Sequence, residues 1–472
     1  MTPPAGGAWA PERRLLTVGL VGLVTAGAFE GMAVPTVLPL LVGELGGLDL
    51  YGWAFSAFWL TTIIGITLGG AGADRRGPAP ALVAGVALFA VGLLVSGLAP
   101  NMAVVIGGRA IQGLGAGAMT AVVYAAIARA YPAHTTPRMI ALVSSAWVVP
   151  GLIGPALAGT VADTIGWRWV FLAVVPMVVL MGAAVTPQLA PLGPAASPEA
   201  PARTPWGRAF DAARLAIGSA LLLWALSVGV LVAAVGLALA GGALVILALR
   251  HLLPPGSLRL ARGRPSVMAV GFGVAFAFLG AEAFVPLAVV EIRGGSAALG
   301  GLALTTSAVT WAAGSWIQAR AAGAGMRRVM MAGGAMLIAA GIATMATVLL
   351  PGMPVFMAAI GWAIAGLGMG LAYSTAALVT LETAAPGEEG FSSSALQLMF
   401  TLGTALGAGV GGAVVAIADA GVIGLAPALS IVFGIAIAAA ILAALVAQRV
   451  PARGPYRPRT DATVPAVALQ GH

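Results

Sequence analysis

Three charged side chains, Glu30, Arg109 and Glu282, stand isolated in long apolar stretches. Of 15 acidic and 23 basic residues, these are the ones that lie well inside such a stretch rather than at its end. A charge held in hydrocarbon costs several kcal/mol unless it faces a partner or a wet cavity, so each has a specific purpose. Burial favours the protonated form of a carboxylate and a nearby guanidinium favours the ionised form, so a Glu–Arg site can bind and release a proton near neutral pH. Glu30 is the expected proton carrier, Arg109 tunes its proton affinity, and a cationic or lipophilic ligand competes with the proton. A static ion pair between the two is the bland alternative. Glu282 reads equally as a second protonation or cation site and as a carboxyl bonded to backbone freed near Pro286. At about 1.5 Å per residue, Glu30, Arg109 and Glu282 lie roughly 20, 12 and 13 Å from the outer helix ends, so one cavity can hold all three if their faces agree.

Neutral groups in the same stretches complete a permissive lipophilic pocket, since aromatic and Met side chains accept varied shapes and aromatic faces attract cations. Met32, Trp59, Gln112, Trp147, Trp311 and Gln397 join the three charged residues as the expected substrate-binding set. Other chemistries lack their residues. The chain has no Cys, and all 23 of its basic residues are Arg, which leaves no P-loop lysine for an ATP phosphate. His134, His251 and His472 fall in loops or the tail in this reading, so no imidazole cluster forms a metal site. Neither catalysis nor a cofactor is expected, and an ion gradient is the remaining energy source.

The elements that position these residues follow from composition. The 472 residues are 60% apolar and 8% charged, against about 45–50% and 25% in soluble domains. A helix needs about 20 apolar residues to cross a bilayer. Such segments run over 15–43, 50–72, 79–98, 102–128, 139–162 and 167–188, and, after a Pro-rich linker at 189–213, over 266–290, 299–319, 329–350, 355–381, 391–418 and 425–447. Between them, Leu215 to Leu252 is apolar and long enough for two short crossings; arginines flank both ends, so it reads as a hairpin turning near Val230–Val235. The expected organisation is a six-helix bundle (1–188), the linker, the inserted hairpin with its loop (214–264), a second six-helix bundle (265–450) and a tail (451–472), fourteen helices in all.

The net charge of +8 then describes orientation, not nucleic-acid binding. Arg13/Arg14, Arg75/Arg76, Arg129/Arg138, Arg327/Arg328 and the Arg449–Arg459 tail share one side, which the positive-inside rule makes cytoplasmic. The opposite loops hold Glu44, Asp49, Asp163, Arg168, Glu291, Arg293 and Asp419. Both termini are expected in the cytoplasm of a bacterium, the protein a monomer in its inner membrane. On the cytoplasmic side, Glu382, Glu388 and Glu389 are candidates to close an inner gate against Arg75, Arg76, Arg327 or Arg328.

The chain also repeats. Pro39-Leu-Leu-Val-Gly-Glu44 returns as Pro286-Leu-Ala-Val-Val-Glu291, and Ala110-Ile-Gln-Gly113-Leu-Gly115-Ala-Gly117 as Ala363-Ile-Ala-Gly366-Leu-Gly368-Met-Gly370, at offsets of 247 and 253. Parallel repeats of six helices are the architecture of transporters whose halves rock about a midplane site.

Four local patterns carry a resemblance. Gly70-Ala-Gly-Ala-Asp74-Arg75-Arg76-Gly77 is similar to a G-x-x-x-D-R-x-G loop, and Arg109-Ala-Ile-Gln112-Gly113-Leu-Gly115 to an R-x-x-Q-G-x-G helix. Pro150-Gly151-Leu-Ile-Gly154-Pro155-Ala-Leu-Ala-Gly159 is similar to a G-x-x-x-G-P motif, followed by Trp167-Arg168-Trp169-Val-Phe171. Phe29-Glu30 through Pro39 has an acid nine residues before a proline, with Glu in place of the usual Asp. Together these resemble the major facilitator superfamily, in particular its fourteen-helix drug/proton antiporters. The resemblance implies an all-α polytopic fold of two pseudo-symmetric six-helix bundles plus the hairpin, and export of amphipathic compounds against protons. It further implies gating roles for Gly70, Asp74, Arg75, Gly77, Gly154, Pro155 and Gly159. A same-fold carrier of a dedicated lipid, siderophore or metabolite, and a scaffold or sensor without transport, are the alternatives.

Overall fold

The computed structural model describes residues 9–132, 135–194, 205–321, 326–384 and 388–450. Among these every regular element is helical. The first half holds α1 (Pro11–Leu45), α2 (Tyr51–Arg76), α3 (Pro78–Gly97), α4 (Met102–Ala130), α5 (Thr136–Ser145), α6 (Val148–Ile165), α7 (Arg168–Leu172) and α8 (Val174–Leu189). Next comes a hairpin, α9 (Pro205–Ala225) and α10 (Leu231–Leu252). The second half holds α11 (Arg264–Glu282), α12 (Val285–Leu287), α13 (Ala297–Ala321), α14 (Arg327–Ala346), α15 (Met357–Glu382), α16 (Glu389–Asp419) and α17 (Leu425–Ala447). Twelve helical stretches among the described residues are long and apolar enough to cross a membrane. α9 and α13 are also of membrane length, at 21 and 25 residues, but do not number among the twelve, so the structure supports twelve to fourteen spans.

Proline explains where the segments break. Pro lacks the N–H that would bond the carbonyl four residues earlier. Pro150, Pro176 and Pro286 therefore free the carbonyls of Ala146, Leu172 and Glu282, and the chain leaves regular α-helix at or beside each: between α5 and α6, between α7 and α8, and after Glu282. The expected single fifth, sixth and seventh main helices are thus each in pieces. The hairpin turns at 226–230, ahead of the expected position, because Ser227 and Gly229 interrupt the apolar run. α9 starts inside the expected linker. His251 is not in a loop; it lies in the last turn of α10, 3.4 Å from Asp211 of α9. His134 and His472 lie outside the described residues.

The repeat is structural. α4 lies against α2 through Gly113, where an added Cβ would collide with the Phe58 carbonyl, and through Gly117 against Thr62. One repeat later α15 lies against α13 through Gly366 on Ser307 and Gly370 on Trp311. Gly115 and Gly368 do the same against α3 and α14. Small residues let backbones approach where no hydrophobic effect drives helices together.

The halves meet at the rim opposite the arginine-rich one. A Cβ on Gly52 would sit 2.6 Å from Gly412 Cα, and Ser56 donates to the Ala405 carbonyl at 2.7 Å. Tyr51 donates to the Ala283 carbonyl at 2.7 Å. Asp163, at the end of α6, accepts the N–H groups of Ala297 and Ala298 at 3.2 and 3.0 Å and so caps α13 of the other half. Gly151, Pro155 and Gly159 of α6 run antiparallel along Ala308, Gly301 and Ala298 of α13. Among the described residues α5, which continues α6 toward the arginine-rich rim, has no packing on α13 comparable to that of α6, so the halves are joined less closely there.

Candidate functional site

α1 and α4 cross so that Glu30 and Arg109 meet. Arg109 Nη1 donates to Glu30 Oε1 and, at 2.9 Å, to Gln112 Oε1, one turn further along the same helix. Its Nε donates to the Ala54 carbonyl of α2 at 3.1 Å, and the guanidinium carbon lies 4.2 Å from the Phe58 ring centroid. One side chain thus ties three helices. Glu30 is 1% exposed and Arg109 and Gln112 are 0% exposed. Three polar atoms in the cluster, Glu30 Oε2, Arg109 Nη2 and Gln112 Nε2, have no hydrogen-bond partner. Buried donors and acceptors rarely stay unpaired, so this trio has the composition of a site for a proton-carrying water or a polar ligand group.

Around it, Trp59 packs edge-on against Phe58 with ring centroids 5.3 Å apart, and its buried indole N–H has no acceptor. Gly154 of α6 meets the ring of Phe29, the neighbour of Glu30, and Gly151 faces Met32.

Glu282 does not join this cluster. It sits at the α11 break, 8% exposed, with its carboxyl against the Trp362 indole of α15. Trp362 is fully buried and stacks on Phe278 with centroids 5.1 Å apart. Trp311 meets Phe278 edge-on at 5.8 Å. The expected charged site is therefore two sites, one per half. Trp147 is 44% exposed at the start of α6. Exposed Gln397 accepts from Tyr373 at 3.1 Å and contacts neither carboxylate cluster.

Asp74 pairs with Arg129 at 2.6 Å, across the ends of α2 and α4, while Arg75 lies 5.7 Å from the Trp206 ring of α9. Gly77 has a φ of 91°, which suits glycine, whereas Gly70 has ordinary space around it. Of the acids expected at the inner gate, Glu382 pairs with Arg327, one of its expected partners but on the same half, and Glu388 pairs with Arg264 of its own half at 2.8 Å. The side chain of Glu389 lies outside the described residues. At the opposite rim, Glu44 accepts from the Trp167 indole at 2.7 Å and from Arg168 at 2.9 Å, which secures α7 to α1.

Sequence reasoning missed the Ala54 carbonyl, Phe58, Phe278, Trp362 and Tyr51. One signal for Trp362 was present: the 253-residue offset that aligns Ala110 with Ala363 aligns Arg109 with Trp362.

The profile of the major facilitator superfamily matches residues 19–348. The chain belongs to that superfamily. Over 444 residues it is 27% identical to a probable multidrug-efflux transporter of Mycobacterium tuberculosis, covering 89% of this chain and 91% of the relative. Over 425 residues it is 27% identical to a multidrug transporter protein of Bacillus subtilis, covering 85% and 75%. Among solved structures, a D-xylose–proton symporter superposes with a TM-score of 0.65 at 15% identity, covering 93% of this chain and 98% of that one. A peptide transporter superposes with a TM-score of 0.66 at 16% identity, covering 95% and 97%. This major facilitator protein is thus a polytopic membrane transporter with the two-bundle fold.

Proposed function

We propose that this transporter exports drugs or other amphipathic small molecules by alternating access, in exchange for protons. The observation that carries the coupling is the buried Glu30–Arg109–Gln112 cluster, whose carboxylate keeps one oxygen engaged and one free. A proton arriving at Oε2 neutralises Glu30 and weakens its hold on Arg109. The bonds of Arg109 to Gln112 and to the Ala54 carbonyl do not depend on that charge. Protonation therefore loosens α1 from α4 while α2 and α4 stay joined, which is a way for a proton to alter helix packing.

The names of the mycobacterial and Bacillus relatives support export of drugs. The arginine-rich rim is assigned to the cytoplasm of a bacterial cell, with α9 and α13 counted to give fourteen crossings. The closed rim then faces outward, and the described conformation receives substrate from inside. No cofactor is assigned beyond the proton gradient.

In liposomes with an imposed pH gradient, Glu30→Gln is expected to abolish gradient-driven movement of a fluorescent cation, while the folded protein survives because Gln keeps the shape and an oxygen for Arg109. Unchanged gradient-driven efflux would overturn the assignment.

A further inference from the structure

The inserted hairpin rides on one half and reaches across to the other. α9 lies along α2: the Arg75 guanidinium carbon stands 5.7 Å from the Trp206 ring centroid at one end, and further on Ala216 and Leu223 share a buried apolar cluster with Leu60 of α2 and Ala405 of α16. α10 is fastened to α9 where Gly218 and Gly241 each bring backbone against the carbonyl of the other. The second half meets α9 at α16, where Leu223 packs on Gly409. Beside that contact the surfaces part. A cavity of about 460 Å³ lies between Leu226, Val235 and Ala238 of the hairpin, Phe276 of α11, and Leu406 and Val410 of α16. Small-molecule sites span roughly 300–1,000 Å³, so this one is large enough for a ligand.

Every side chain on its wall is a hydrocarbon. Water needs roughly two to four polar partners to settle in such a space, and walls with nothing against them forfeit their dispersion contacts. An apolar filler is what the lining suits, and the mouth faces a supply of it: Leu226 and Val235 are about half exposed, and α10 turns Leu231, Val232 and Leu239 outward to the bilayer. We infer that this cavity binds an acyl chain of a membrane phospholipid. Only the leaflet it comes from depends on the orientation proposed above. The site shares no residue with the Glu30 or Glu282 clusters, and its ligand arrives from the bilayer instead of the path between the halves. A chain seated there touches the hairpin, carried by the first half, together with α11 and α16 of the second. Val410 is two residues from Gly412, whose backbone meets Gly52 at the closed rim. The chain therefore braces that seam from the lipid side and favours the closed rim.

The probe is a phosphatidylcholine with a photoactivatable diazirine at the end of one chain, in nanodiscs with the purified protein. Labelling is expected on Phe276 and Leu406. Ala234→Phe with Ala238→Phe fills the cavity from α10 and should cut that labelling at least about fivefold, because two rings exclude the chain from the same volume. The exposed Leu442 and Leu445 of α17 should label as before. Ala233→Phe with Ala240→Phe adds the same bulk to α10 outside the cavity and should label like wild type. No labelling of Phe276 and Leu406 in wild type, or equal labelling in the filled variant, overturns the inference. Loss of that labelling on adding excess fluorescent cation would make the space a substrate site and overturn it too. Stripping lipid in detergent should also speed the maleimide reaction of Ala298→Cys, a position at the seam, at least about fivefold. Equal rates before and after stripping overturn the bracing role.

Discussion

Arg109→Ala is expected to abolish transport and to destabilise the protein by about 3–5 kcal/mol, the usual loss when one member of a buried ion pair is removed. The guanidinium is fully buried, and its removal strands the Glu30 carboxylate and takes the side-chain donor from the Ala54 carbonyl. It also opens a cavity against Phe58. Thermal unfolding in detergent measures the first effect and gradient-driven efflux the second. Coupling Arg109→Ala with Glu30→Gln should restore much of the stability, because the stranded carboxylate is gone, and none of the transport. If the double variant is as unstable as Arg109→Ala alone, pairing with Glu30 is not the source of the loss. Arg109→Lys keeps the charge, yet one ammonium cannot reproduce the planar fork that reaches Ala54, Glu30 and Gln112, so transport should stay low.

Gly52→Leu should hold the transporter open at the rim that is closed here. A Cβ at Gly52 would stand 2.6 Å from Gly412 Cα and 2.7 Å from the Ala408 carbonyl, and backbone on the facing helix cannot move aside as a side chain would. Overpacking of this kind costs about 1–3 kcal/mol, which shifts a two-state balance by about 5–150-fold. The collision is between halves, so each bundle should fold and the unfolding temperature change little. The chain has no Cys, so a single cysteine placed at Ala298 reports on the seam without background. It should react slowly with an impermeant maleimide in the otherwise unaltered protein and faster with Gly52→Leu present. Unaltered reactivity and transport would mean that closure does not pass through this contact.

Much of this architecture was legible in the chain because a bilayer makes simple demands. Long apolar runs mark the spans, and glycines at one offset mark the repeat, since Gly113 and Gly366 must both admit a neighbouring backbone. The pairing of Glu30 with Arg109 was legible for a related reason, that a lone charge at such depth has few ways to be satisfied. What escaped depends on rotation about the helix axis. Depth along a helix placed Glu282 level with the other two charges, but its face is turned to Trp362. Asp74 likewise had an arginine as its neighbour in sequence and found another, Arg129, in space. Helix breaks were half visible: Pro150, Pro176 and Pro286 interrupt their helices, whereas Pro35 and Pro39 lie within an unbroken α1.

The ion pairs Asp74–Arg129, Arg264–Glu388 and Arg327–Glu382 at the open rim each staple helices of one half together. None of the three has to break for the halves to approach or part. Ionic strength, which weakens exposed ion pairs, therefore acts through these three on the rigidity of each bundle. The choice between orientations is left to the opposite rim, where the backbone contact at Gly52 and the hydroxyl-to-carbonyl bonds of Tyr51 and Ser56 lie beyond the reach of dissolved ions, and the exposed Asp163 carboxylate that caps α13 is the contact between halves that salt can weaken.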